Sequence, residues 1–109
     1  MEIHSLADAP AYDDTTFVAV PFAEGVQSNA RLIRLSPGQV LPPHRHGVSD
    51  LFLYAVEGQA VLGSDAGQVA FPGGTLAVLR GEEELRVANP GPTGATFLAF
   101  LAPPFPPRD

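Results

Sequence analysis

Twelve prolines and eleven glycines cut this 109-residue chain into short pieces. Proline lacks a backbone donor and glycine is costly inside a helix, so no long helix survives such punctuation. Between the breaks lie eight apolar runs. They are "FVAV" (Phe17 to Val20), "ARLIRL" (Ala30 to Leu35), "LFLYAV" (Leu51 to Val56), "QAVLG" (Gln59 to Gly63), "QVAF" (Gln68 to Phe71), "TLAVL" (Thr75 to Leu79), "ELRVA" (Glu84 to Ala88) and "TFLAFLA" (Thr96 to Ala102). Each has the length of a β-strand, with glycine, proline, aspartate or asparagine at its borders. The pattern predicts an all-β antiparallel sandwich or barrel. "GSDAGQ" is expected to be a hairpin loop and "NPGPTG" a tight polar turn. The tail "APPFPPRD" cannot continue a central strand. Its Phe105 is expected either to pack across the outside or to stay loose.

The length suits one domain spanning residues 1–109, with a peripheral amino-terminal segment of about 15 residues and the proline-rich tail from about residue 103. The formal net charge of -6 argues against a nucleic-acid backbone or an anionic membrane as partner. The chain has no cysteine, hence no disulfide framework and no thiolate ligand or nucleophile. No apolar run reaches the ~20 residues that span a bilayer. The start, "MEIHSLADAP", carries no secretory pattern, so a cytoplasmic location is expected. Phosphate-cradling and dinucleotide glycine motifs are absent, as is a G-x-S-x-G elbow. The runs "LFLYAV" and "TFLAFL" are apolar on both faces, whereas one face of a single sheet should be wet. A second subunit or a terminal segment is expected to cover that face, and few charges, 17% of residues, with many hydrophobic ones, 45%, point likewise to an outer surface covered by a partner.

The chemistry-bearing feature is "HRH", His44 to His46, after a proline pair and before an apolar run. On a strand an H-x-H pair puts both imidazoles on one face. Neutral imidazoles ligate divalent transition metals, in sets of three or four that often include a carboxylate. Asp50 is the local carboxylate. It meets His46 if the chain turns through "GVS" between them.

The stretch from Gly38 to Gly58 resembles the first motif of the cupin superfamily: a glycine, five residues, H-x-H, a short spacer, a glutamate, six residues and a glycine. Gly38, His44, His46 and Gly58 match. Leu51 stands at the glutamate position, with Asp50 one residue early. In the second motif Pro72 and Gly74 match, while Ala77 occupies the histidine position and Gly81 the asparagine position. The resemblance implies a double-stranded β-helix, or jelly-roll barrel. It also implies an inward metal site of three histidines and a glutamate. Here two histidines are kept, with Asp50 as third ligand only if a bulge turns it inward. His4 completes the set only if its segment folds over the barrel mouth or crosses from a second subunit.

The cofactor expected is one weakly held divalent transition metal (zinc, iron, nickel, manganese or copper), or none. With Leu51 inward, Leu53, Ala55 and Ala77 would join it as the lining of an apolar ligand pocket. Tyr54 would face the other way and pack. Arg31 and Arg34 read as a solvated strand rim, and Arg80 with "GEEE" as an exposed turn or as a contact for a substrate carboxylate near the mouth. Gly38, Gly58, Pro72 and Gly74 read as structural turns. The resemblance and the two-faced strands together imply a homodimer. The reading is a small-molecule-binding protein with a reduced two-histidine site. The alternatives are a metal-dependent oxygenase or polyketide-type cyclase acting on an apolar or aromatic substrate, and a non-catalytic sensory module.

Overall fold

The computed structural model describes residues 1–64 and 67–107. The tip of the expected "GSDAGQ" loop and the last two residues lie outside the described residues. Among the described residues nine strands follow a single 3-10 turn, Leu6–Asp8. They are β1 (Val18–Glu24), β2 (Asn29–Leu35), β3 (Val40–His44), β4 (Asp50–Glu57), β5 (Gln59–Ser64), β6 (Gly67–Pro72), β7 (Leu76–Leu79), β8 (Leu85–Ala88) and β9 (Ala95–Ala102). The eight apolar runs supply all of these except β3. That strand reads "VLPPH", and its two prolines hide it from any hydrophobic pattern. Proline is tolerated at a sheet margin, and β3 is indeed an edge.

Every pairing is antiparallel. One sheet runs β1-β2-β9-β4-β7 and the other β3-β8-β5-β6. This is the double-stranded β-helix expected. Side chains alternate between faces, so each strand sends every second residue into the space between the sheets. Leu51, Leu53 and Ala55 on β4 are fully buried, while Phe52 and Tyr54 between them are 44% and 39% exposed. Leu35, Phe97 and Leu101 enter the same core from β2 and β9, and Leu41, Phe71, Leu85 and Val87 meet them from the other sheet. Phe71 and Phe97 stack across the gap with centroids 5.9 Å apart. Their offset contact ties the two sheets at the centre.

The outer face of the larger sheet is divided. The amino-terminal segment is fastened over the β2 side, where Arg34 donates to the carbonyl of Leu6 (3.2 Å) and Leu32 is fully buried. Tyr12 anchors the same segment, donating to the Glu57 carboxylate (2.9 Å) beside the Thr96 hydroxyl (2.5 Å). Across β9, β4 and β7 the face is open. Phe100, Phe52, Tyr54, Leu76 and Val78 are all exposed there. Tyr54 therefore lies on the outer face as expected but is not packed over.

Gly38, Gly58 and Gly74 have positive φ, in keeping with their reading as turns. At Gly58 the backbone demands glycine twice over: φ is 106°, and a Cβ would lie 2.6 Å from the Cα of Ala95. We predict that Gly58→Ala lowers unfolding stability by about 3 kcal/mol. Urea denaturation reads this directly, and an unchanged midpoint would show that the β4–β5 corner relaxes freely.

Candidate functional site

His44 is the last residue of β3, and its ring is oriented locally. Nδ1 lies 2.9 Å from the carbonyl of Pro42. A carbonyl only accepts, so that nitrogen carries a proton. His46 follows in the turn after the strand. Its backbone N–H donates to the carbonyl of Gly81 (2.8 Å), and its own carbonyl accepts from Ser49 (3.0 Å). Gly81 makes the approach feasible, because a Cβ there would stand 2.0 Å from the Gly47 carbonyl oxygen. The two imidazoles end 4.6 Å apart, edge to face.

The carboxyl-terminal tail closes over them. Phe105 sets its ring 5.1 Å from that of His46. It is held by Asn29, whose amide donates to the Phe105 carbonyl (2.7 Å) and accepts from the Phe105 N–H (2.9 Å). Ser49 donates to the carbonyl of Pro103 (2.7 Å) and fixes the start of the tail. So Phe105 neither packs across the outside nor hangs loose. It roofs one end of the barrel.

Under this roof is a cavity of about 180 Å³. Its walls are mainly apolar, from Ala19, Ile33, Leu41, Leu85, Ala99 and Leu101. Its polar groups come from His44, His46 and Arg31. Arg31 is opposite Ala99 in the β2–β9 register, two residues from Ile33 opposite Phe97. It therefore shares the inward face and is not part of a solvated rim. The signal was present in "ARLIRL": counting back by twos from Leu35 and Ile33 reaches Arg31. Arg34, one residue out of phase, goes to the outer face and lies 5.4 Å over the Tyr12 ring. Arg80 is exposed in a turn closed by the N–H of Glu83 to its carbonyl (3.0 Å).

The other candidate ligands do not join the histidines. Asp50 is exposed and opens β4 on the face opposite Leu51. No bulge turns it inward, because the register from Asp50 to Ala55 is regular. His4 pairs instead with Glu2 (3.2 Å) at the surface. Among the described residues no group of three histidine, cysteine, aspartate or glutamate side chains is placed to hold a metal. The two remaining positions implied for ligands are Leu51 and Ala77, and both are apolar. A resident metal centre does not fit this set. It would have two nitrogens for ligands and would share its cavity with the cation of Arg31.

The expected pocket also moves. Leu51, Leu53 and Ala55 do face inward, but they are completely buried in the packed core, with Ala77 against them. None of the four lines the cavity at the histidines. A larger surface groove of about 610 Å³ runs beside Leu62, Val69 and Leu79. Its arginines are already engaged, Arg86 with Glu84 (2.5 Å) and Arg45 with Glu84 (3.6 Å).

No family model and no curated protein matches the chain. Solved structures do. A protein from Thermus thermophilus superposes with a TM-score of 0.85 at 27% identity, covering 95% of this chain and 99% of that one. An RmlC-like cupin protein from Desulfovibrio desulfuricans gives 0.83 at 26%, covering 96% and 99%. The chain is a cupin. A double-stranded β-helix protein from Klebsiella pneumoniae, at 19% identity and a TM-score of 0.84 over 93% and 84% of the chains, has the same fold.

His46 is only 4% exposed, and its Nδ1 has no hydrogen-bond partner. Burial, with the nearby His44 as a smaller contribution, pushes its pKa down to about 4. Between pH 6.5 and about 4 the unfolded chain gains a proton at this ring and the folded chain does not. Stability should therefore fall as the pH drops through that window, by on the order of 2 kcal/mol from this residue. His46→Gln should remove that part of the slope. Identical pH profiles for the two proteins would contradict a buried neutral imidazole.

Proposed function

We propose that this cupin binds a small, largely apolar molecule in the cavity roofed by Phe105. The observation that carries the reading is the cavity itself: apolar walls from five strands and the tail, with polar groups from Arg31, His44 and His46. Binding sites for small molecules have this composition, a mostly apolar lining with a few fixed polar groups. The volume suits a fragment of metabolite size rather than a large substrate. No metal is needed for this function, and no reaction is assigned. Phe105 limits access, since it is half-buried and held at the entrance by Asn29.

The chain has two isoleucines, which provide a reporter and a control. Ile33 lines the cavity, whereas Ile3 is 85% exposed. Titration with short branched alcohols and amides should move the Ile33 methyl resonance in saturable fashion and leave Ile3 still. Phe105→Ala should speed exchange and admit larger solutes. If no such solute shifts Ile33, in the native protein or the variant, the cavity is not a binding site.

We further infer that two copies pair through the open outer face of β9, β4 and β7. An apolar sheet face is the kind of surface that association covers, and a two-fold axis would set Phe52, Tyr54 and Phe100 against their counterparts. Light scattering should give a dimer for the native chain and a monomer for Phe100→Glu. A native monomer at high concentration would rule out this pairing.

A further inference from the structure

We propose that the ligand of this cavity is a short-chain organic carboxylate, its charged end held by Arg31. The proposal rests on the cavity-binding reading above and specifies the chemical class bound. It starts from a charge imbalance. The protein is strongly acidic, yet no aspartate or glutamate is among the residues lining the cavity, and Arg31 is.

The other described arginines are engaged or exposed elsewhere, although the Nε of Arg34 is buried without a hydrogen-bond partner. Arg45 and Arg86 share Glu84, Arg34 donates to Leu6, and Arg80 is exposed. Arg31 alone among them stands half-buried with no ion pair or side-chain hydrogen bond to another described residue. Its guanidinium has no side-chain partner among the described residues where Arg31 lines the cavity. It presents a planar set of donors that matches a carboxylate in two parallel hydrogen bonds.

The remaining walls define the rest of the molecule. Ile33, Leu41, Leu85 and the Phe105 ring offer apolar contact and no further cation. At water's share of about 30 Å³ per molecule, 180 Å³ holds roughly six non-hydrogen atoms. That is the size of a four-carbon acid. A dication would add charge of the same sign as Arg31, whereas a carboxylate cancels it.

The test uses a pair of solutes matched in shape: isobutyrate and its uncharged isostere isobutyramide, titrated at constant ionic strength. Calorimetry and the Ile33 methyl shift are read together. The native protein should bind isobutyrate at least roughly tenfold more tightly than the amide, the ratio expected for a charge-assisted pair. Arg31→Gln should bring isobutyrate down to the affinity of the amide and leave the amide unchanged. Equal binding of the two solutes by the native protein would overturn the carboxylate assignment while leaving the apolar cavity reading intact. Failure of both to move Ile33 would remove both readings. Isobutyrate binding that survives Arg31→Gln unchanged would place the anion elsewhere and also overturn the proposal. Should Arg31→Gln not fold, Arg31→Met keeps the apolar stem, and the matched pair on the native protein decides the matter without either variant.

Discussion

Burial of one face of each strand between two sheets is the constraint on which the rest of this molecule depends. Because side chains alternate, the inward set is fixed once a single residue is placed. Leu51 inward commits Leu53 and Ala55, and through the β4–β7 register it commits Ala77 and Leu79. The same rule expels Asp50. A carboxylate one position away from the buried leucine stands on the opposite face, and nothing in the strand bends to bring it back. The reduced metal set thus follows from the packing that makes the barrel stable.

The same constraint places Arg31 within the barrel. Its neighbours on the inward face of β2 are Asn29 and Ile33, and each has a distinct task. Ile33 packs, Asn29 binds the tail, and Arg31 supplies charge to the cavity between them. The Asn29 amide is well suited to its part, since it both donates to and accepts from the backbone of Phe105 and leaves neither group unmet. Through that pair a single strand governs both the polarity of the site and its roof.

The legible part of the fold was its strand content. Eight apolar runs between turns gave eight strands, and the missing one, Val40–His44, was masked by Pro42 and Pro43. The histidine pair was legible as a pair, and its rings do meet. The pocket was displaced for a physical reason: inward-facing and pocket-lining are different properties. Leu51, Leu53 and Ala55 face inward where the sheets are close enough to fill the gap, so no space remains beside them. Space opens toward the end of the barrel, and only the path of the tail determines what closes it. Arg31 could have been found by alternation, but a charged residue in a half-apolar run invites the reading of a surface rim.

The sequence by itself determined the architecture, the antiparallel strands and the nearness of His44 and His46, because these follow from local periodicity, turn chemistry and short separation along the chain. Only the tertiary structure decided that Phe105, far along the chain from those histidines, lies on His46, and that Arg31 shares their cavity. Those neighbours are brought together by the pairing of β2 with β9 and by the return of the tail across the barrel end. Contacts of that range depend on the closure of the whole barrel, which no short stretch of the chain encodes.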